Sequence, residues 1–343
     1  MSLTLIKPIY PFRPIGTLSK LALTLRLSES DMIDLASRAN ALYRPVKLKS
    51  GRQAFDAEPE LKRVHARIKD ALLDHVWFPP YLTGSLKGRS YKGNAELHKD
   101  QAVLICEDVK GFFGSVSADR VLDIWWKFFN FPKPVAEVLT LLTVRDGALP
   151  QGAIPSSYLA NLALWRDEPH LQAKMEAAGI VYSRYVDDIA MSSKKALSTN
   201  SKKALIADVY GMLRRNGLSA KREKHEIFPA TKAMIITKLI GNRKASLDPK
   251  RRSIIRAVVH HAERLAATPD VNLDTALDAL KKAANRVGYL GHFHPTLAEP
   301  LRRRIALARE RVGAAEAKPA INGEPPPADD YPHGLPPVSR HIE

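Results

Sequence analysis

Two adjacent carboxylates, Asp187 and Asp188, lie within Tyr182-Ser183-Arg184-Tyr185-Val186-Asp187-Asp188-Ile189-Ala190-Met191, between two runs rich in apolar and aromatic side chains. The pattern reads as a β-hairpin with acids at its tip. Crowding two carboxylates between core strands is costly unless a cation compensates them, and a divalent metal would do so. A solvated turn, with Asp bonding its own backbone, accounts for the pair equally well at this point. A third acid, Asp108, ends the apolar run Val103-Leu104-Ile105-Cys106-Glu107-Asp108-Val109. If that run pairs with the hairpin in one sheet, three carboxylates meet. Alone they would repel strongly in a low dielectric, whereas two divalent cations would turn the cluster into a stable site.

The flanking stretches supply elements to hold such a cluster. Residues 16 to 43 read as a small helical layer, with Ser28 or Ser30 capping a helix through Leu42. Tyr43 to Phe55 alternates in character around Ser50-Gly51 and reads as a basic hairpin, either solvated or lying over phosphates. Leu61, Val64, Ile68, Ala71 and Leu72 fall at three- and four-residue spacing, which predicts an amphipathic helix from Pro59 to Val76. Gly84 to Gly93 reads as a basic loop, and Asp119 to Asn130 as a helix with Val121, Ile124, Trp125 and Phe128 in the core. The turn Leu149-Pro150-Gln151-Gly152-Ala153-Ile154-Pro155-Ser156-Ser157 leads into a helix. Its free N–H groups suit a phosphate, although helix entry alone also explains the turn. Lys202 to Asn216 reads as a helix closed by Gly217, Met234 to Ile240 as a strand, and Asp248 to Val312 as a separate basic helical domain. Beyond Val312 the chain turns to Pro, Ala and Gly and reads as a disordered tail.

Composition narrows the partners. The 343 residues carry 53 Lys and Arg against 36 acids, a formal charge of +17 that exceeds what solubility needs and calls for a polyanion. Nucleic acid is favoured over a membrane, because no apolar run approaches the roughly 20 residues of a spanning helix. Cys106 is the only cysteine, which excludes an intrachain disulfide and argues against a cysteine zinc site. A cytoplasmic protein fits these features.

In order along the chain, from about Tyr43 to Asn242, the stretches resemble reverse transcriptases. Tyr185-Val186-Asp187-Asp188 resembles the catalytic tetrad, and Asp108 in Asp108-Val109-Lys110-Gly111-Phe112-Phe113 resembles the first palm aspartate. Gln151-Gly152-Ala153-Ile154-Pro155-Ser156, continuing to Asn161-Leu162, is similar to the QGxPxS turn and helix. Asn94-Ala95-Glu96-Leu97-His98 matches the NAxxH element of bacterial retron enzymes, with Gly88-Arg89-Ser90 and Pro59-Glu60-Leu61-Lys62 also in their places. Two departures stand out. Ile236-Thr237-Lys238 replaces Val-Thr-Gly, and the Asn ahead of the palm lysine is absent, leaving Lys221 near its place and Lys224 at the lysine.

The resemblance implies an α+β, right-hand polymerase: an N-terminal helical extension (1–42), fingers and palm with an antiparallel sheet (43–240), a basic helical thumb that binds RNA (241–313) and a Pro-rich tail (314–343). It implies an RNA-directed DNA polymerase in which Asp108, Asp187 and Asp188, with the Val109 carbonyl, hold two Mg²⁺ ions. Arg52, Phe113, Gln151, Gly152 and Lys224 would form the dNTP site, with Phe113 excluding the 2′-hydroxyl and Phe112 in the core. Asn94, His98, Arg89, Thr237, Arg251, Arg252, Arg302 and Arg303 would contact RNA. Retron kinship further implies a structured noncoding RNA as template, a cDNA joined to RNA, and a separate effector protein in phage defence. The alternatives are a non-retron bacterial reverse transcriptase (intron-like, diversity-element or another defence type) and a non-catalytic RNA-binding scaffold.

Overall fold

The computed structural model describes residues 6–47, 51, 53–268 and 272–312. The chain opens with α1 (Leu18–Thr24), α2 (Glu29–Arg38), the hairpin β1 (Tyr43–Lys47) and β2 (Gln53–Ala57), and α3 (Pro59–Ala71). Next come α4 (Tyr91–Leu97), β3 (Val103–Asp108), α5 (Phe112–Ser115), α6 (Ala118–Asp123) and α7 (Lys133–Thr143). Helices α8 (Ser156–Leu162) and α9 (Glu168–Ala177) lead to β4 (Ile180–Tyr185) and β5 (Asp188–Ser193). After α10 (Thr199–Arg215) come the short strands β6 (Glu226–Pro229), β7 (Ile235–Ile236) and β8 (Leu239–Ile240). The long helices α11 (Pro249–Ala267), α12 (Leu273–Gly291) and α13 (Pro295–Arg311) follow.

The apolar run ending at Asp108 lies inside a four-stranded antiparallel sheet of order β4-β5-β3-β6. Because side chains alternate across a strand, β3 serves two cores at once. Ile105, with Ile189 and Met191 of β5, joins the large core built from α1 to α10. Leu104, with Ala190, joins a second core made by the β7–β8 hairpin and the bundle α11–α13. Asp108 and Asp188 share the parity of this second face, at its end. Sequence order alone would not place them there; pairing of β3 with β5 does.

Several boundaries differ from the sequence reading, each for a local reason. Ser28 caps α2 as expected, accepting from the Asp31 N–H at 3.0 Å after left-handed Arg26 (φ 55°), but α2 ends at Arg38 and not at Leu42. The loop Gly84–Gly93 ends in a helix start, where Ser90 accepts from the Gly93 N–H at 3.0 Å. The helix around Trp125 begins after Ser117, whose hydroxyl accepts from the Arg120 N–H, and its second half, Ile124–Phe128, widens into a π-helical turn. Met234–Ile240 is a hairpin and not one strand. Thr237 (φ 45°) and Lys238 (φ 66°) form its two-residue turn, a conformation that usually recruits Asn-Gly. The tip of the basic hairpin at 48–50, Arg52, and the tail from 313 lie outside the described residues.

Candidate active site

Strand pairing sets the acids. Asp108 is directly opposite Asp188 in the β3–β5 ladder, and the Val109 N–H donates to the Asp187 carbonyl at 2.9 Å. The turn between β4 and β5 is tight, with Val186 at a left-handed φ of 58°. Asp108 is buried and Asp188 half-buried, so neither carboxylate is fully hydrated. Burial, then the charges of Asp187 and Asp108, push the Asp188 carboxyl up to about 7, against the opposing pull of Lys224 and Lys238. The Lys224 ammonium is bound to the Asp108 carboxylate, and the Lys221 N–H donates to the Asp108 carbonyl at 2.6 Å. A hard oxygen donor set in which mutual repulsion and burial disfavour the charge of Asp188, with a side-chain ammonium already drawn onto Asp108, fits a divalent cation. Among the described residues no three Asp, Glu, His or Cys side chains are yet gathered closely enough to hold a metal.

The turn before α8 and the β1–β2 hairpin approach each other closely. Gly152 has φ +109°, and a Cβ there would lie 2.9 Å from the Phe55 carbonyl oxygen of β2. Gln151 accepts from the Phe55 N–H at 2.7 Å, which docks the basic hairpin onto the turn before α8. Arg145 stacks over the Phe55 ring at 3.9 Å. Phe112 is buried, as expected, and Phe113 is half-buried. They sit on the helical turn α5, entered through left-handed Gly111, and not on a strand. Gly152→Ala is expected to raise the dNTP KM about tenfold and lower stability by about 1–3 kcal/mol, because both its φ and the Phe55 contact are lost. Steady-state kinetics and urea unfolding check this.

Residues 52–292 match the family model described as reverse transcriptase (RNA-dependent DNA polymerase). The chain belongs to the reverse transcriptase family. It is 29% identical to the retron Se72 reverse transcriptase of Salmonella heidelberg, over 76% of this chain and 71% of that one. It is 26% identical to the retron Ec48 reverse transcriptase of Escherichia coli, over 81% of this chain and 72% of that one. Among solved structures, telomerase from Candida albicans with a telomeric RNA fragment gives a TM-score of 0.36 at 11% identity, covering 61% of this chain and 44% of that chain, a likeness too distant to bear on the site. The antiparallel sheet that carries the acids and the helices around it are the mixed architecture of a right-hand polymerase. The reverse transcriptase has no helix, among its described residues, long and apolar enough to cross a membrane.

The residues expected to touch RNA separate into two groups. Asn94 and His98 are buried, and their side chains are spent inside the enzyme, which corrects their assignment to RNA. The Asn94 Oδ1 accepts from the Thr83 and Ser183 hydroxyls, each at 2.8 Å. His98 bonds Ser192 through Nδ1 and Ser183 through Nε2, both at 2.7 Å. The NAxxH element is thus a polar bolt from α4 to both strands of the catalytic hairpin. Arg89 donates to the Phe78 carbonyl at 3.2 Å, and the Thr237 hydroxyl to the Tyr91 carbonyl at 3.2 Å. Arg251 donates to the Lys238 carbonyl at 3.0 Å, steadying the β7–β8 turn, and Arg252 is half-buried beside it on α11. Arg302 and Arg303 are exposed on α13 and share Glu299. Arg52 lies outside the described residues.

Burial pushes both His98 and His65 down to about 4, so both rings are neutral in the folded enzyme. The unfolded chain takes up these two protons from about pH 6.5 downward, whereas the folded chain resists until about pH 4. Stability is therefore complete above pH 6.5 and falls with pH through the window 6.5 to 4, by about 1.4 kcal/mol per unit for each ring. Urea unfolding at pH 7 and pH 5.5 measures the slope, and its decrease in His98→Gln, where His65 still contributes, isolates the share due to His98.

Several supporting residues escaped the sequence reading. Glu107, on the opposite face of β3 from Asp108, accepts from the Tyr210 hydroxyl at 3.0 Å and bonds His225 Nδ1 at 2.6 Å. Adjacent residues Lys224 and His225 thereby hold adjacent acids Asp108 and Glu107. The only signal was the parity of an acid within a buried strand. Glu168 and Arg184 were not singled out, while Gly84 entered only as part of a basic loop and Asn161 only as part of a helix; Arg184 and Gly84 reach Val186 of the acid turn, and Glu168 and Asn161 bond Arg184.

Proposed function

We propose that this enzyme copies a cognate structured noncoding RNA into single-stranded DNA that remains joined to RNA, in the manner of a retron reverse transcriptase. The observation that carries the reading is the similarity to retron enzymes across about three quarters of the chain. An intact NAxxH element supports it, as does the basic face of α11–α13, which suits phosphate contacts. A cytoplasmic setting, a separate effector protein and a role in phage defence follow from the same kinship. Residues 43–240 would be fingers and palm and 241–313 the RNA-gripping thumb. The Lys238 side chain, where retron enzymes have glycine, is the main point in favour of a non-retron lineage.

Asp108, Asp187 and Asp188, with the Val109 carbonyl, would hold two Mg²⁺ ions, which supply activation of the primer hydroxyl and neutralisation of the departing pyrophosphate. The β3–β5 pairing stands Asp108 opposite Asp188, and these two side chains with that of Asp187 would supply the donor set. Lys224 then releases Asp108 and stands close to the triphosphate. Gln151 and Gly152 line the base and sugar, Arg52 grips the phosphates, and the Phe113 ring closes the space below the sugar. Phe113→Ala is accordingly expected to reduce the preference for dNTP over NTP by about 10²-fold, mainly through faster use of NTP. Competitive incorporation on a primed RNA template checks this.

The retron assignment is tested by purifying the protein from its host and sequencing the bound nucleic acid after separate RNase and DNase treatment. One abundant DNA joined to one structured RNA is the expected result. Heterogeneous RNA without DNA, from an enzyme that still extends a primed template, would move it to another lineage.

A further inference from the structure

The Asp187-Asp188 turn is held from behind by a guanidinium that no part of the catalytic scheme uses. The Arg184 side chain is completely buried, as is that of Glu168 to within 2%. Nε donates to Glu168 Oε1 at 2.6 Å and Nη2 to Oε2 at 2.7 Å. The remaining donors leave the ion pair. Nη1 donates to the Val186 carbonyl, inside the catalytic turn, at 3.0 Å, and Nη2 to the Asn161 carbonyl, at the end of α8, also at 3.0 Å. Burial opposes the charge, but Glu168 restores it, so the guanidinium titrates above its usual range. The Arg184 backbone is fastened as well, donating to the Tyr81 carbonyl at 2.8 Å and accepting from the Thr83 N–H at 2.9 Å.

A buried ion pair is a poor way to gain stability, because apolar residues of equal volume do as well or better. What apolar residues, or a lysine, cannot do is satisfy a carboxylate and two carbonyls on three elements with one planar fork. One of those carbonyls belongs to Val186, a β-branched residue held in a left-handed conformation that needs outside support. Gly84 also closes on the same residue, and a Cβ there would stand 2.5 Å from the Val186 nitrogen. Gly84 is itself tied to α8, its carbonyl accepting from Asn161 Nδ2 at 2.9 Å.

We propose that Arg184 is a positioning residue: it fixes where Asp187 and Asp188 stand and locks that turn to α8, the helix that follows Gln151 and Gly152. Gly84, in close contact with Val186, is part of the same clamp. Displacement of a reacting group by about 1 Å costs on the order of 10² in rate, so the clamp acts on catalysis without touching substrate. The proposal rests on the metal-holding role given to the turn above.

Arg184→Lys keeps the charge opposite Glu168 and loses the fork. Mn²⁺ is titrated by electron paramagnetic resonance into the full-length protein bound to a primed RNA template, without dNTP, and kcat and KM are measured on the same complex. Expected are Mn²⁺ binding weakened about tenfold and kcat lowered about 10²-fold, with dNTP KM changed less than about threefold. A merely structural role would lower the active fraction and leave Mn²⁺ affinity unchanged. Asp188→Asn in the same titration reports on the metal reading separately. If Asp188→Asn loses Mn²⁺ while folded Arg184→Lys binds it as wild type does, the positioning role alone is overturned. Unaltered binding in both overturns the metal reading and the proposal with it. Should Arg184→Lys not fold, Gly84→Ala leaves the ion pair intact and pushes on Val186 directly. The same weakened Mn²⁺ binding and kcat loss are expected there, and wild-type values in folded protein would overturn the proposal.

Discussion

Asp188→Asn is expected to stop primer extension, by about a thousandfold or more, and at the same time to stabilise the metal-free protein. The two effects have one cause. Burial and the neighbouring charges of Asp187 and Asp108 lift this carboxyl to about 7, so the folded chain keeps a proton that the unfolded chain gives up near pH 4. The favourable contribution of a raised carboxyl is present below pH 4 and is lost as pH rises through about 7. At pH 8 in EDTA, an uncharged amide removes that penalty. A gain of about 1–2 kcal/mol is expected, seen as a melting temperature higher by roughly 2–5 °C. The gain should shrink at pH 5, where the native carboxyl is still protonated. Added Mg²⁺ should raise the melting temperature of wild type and leave the variant nearly unmoved. A variant that is less stable in EDTA at pH 8, or that keeps its activity, would contradict this account of the acids.

Glu168→Ala is expected to be the most destabilising single change on this chain. It leaves the fully buried Arg184 guanidinium without its carboxylate, and breaking such a pair costs about 3–5 kcal/mol. Tyr182 loses its acceptor too, since its hydroxyl donates to Glu168 Oε1 at 2.7 Å. A fall in melting temperature of about 6–15 °C is anticipated. Glu168→Leu combined with Arg184→Met replaces the pair by apolar volume and should recover most of the loss, because neither charge is then stranded. Activity should not return with stability, since Val186 has lost its donor. Denaturant unfolding of both single variants and the double variant gives the coupling, and additive losses would argue against the pair acting as a unit.

The pairing of the acids was legible because an acid that closes a buried strand and an acid pair on a turn both mark strand ends that can meet in one sheet, and Asp108 does stand opposite Asp188. The burial of Phe112 was legible, and a helical turn produces it. The NAxxH element was misread because its polar side chains suggest a nucleic-acid partner. Asn94 and His98 instead find partners in Thr83, Ser183 and Ser192, residues brought near only by folding. Arg184 was invisible for a related reason. An arginine between Ser183 and Tyr185 carries no hint of whether its charge meets solvent or a buried glutamate 16 residues away. The β7–β8 turn was missed because Thr237 and Lys238 lack the Asn-Gly chemistry that usually marks a two-residue hairpin.

The claim on which the rest depends is that Asp108, Asp187 and Asp188 together seat the cations of RNA-templated DNA synthesis. It is tested most directly by crystals of the protein with a primed RNA template, Mn²⁺ and a non-hydrolysable dNTP, measured at the manganese edge. The account predicts two anomalous peaks about 3.5–4 Å apart, bounded by the three carboxylates, with the Lys224 ammonium displaced from Asp108. Peaks elsewhere, or none with nucleotide bound and Lys224 still on Asp108, would contradict it.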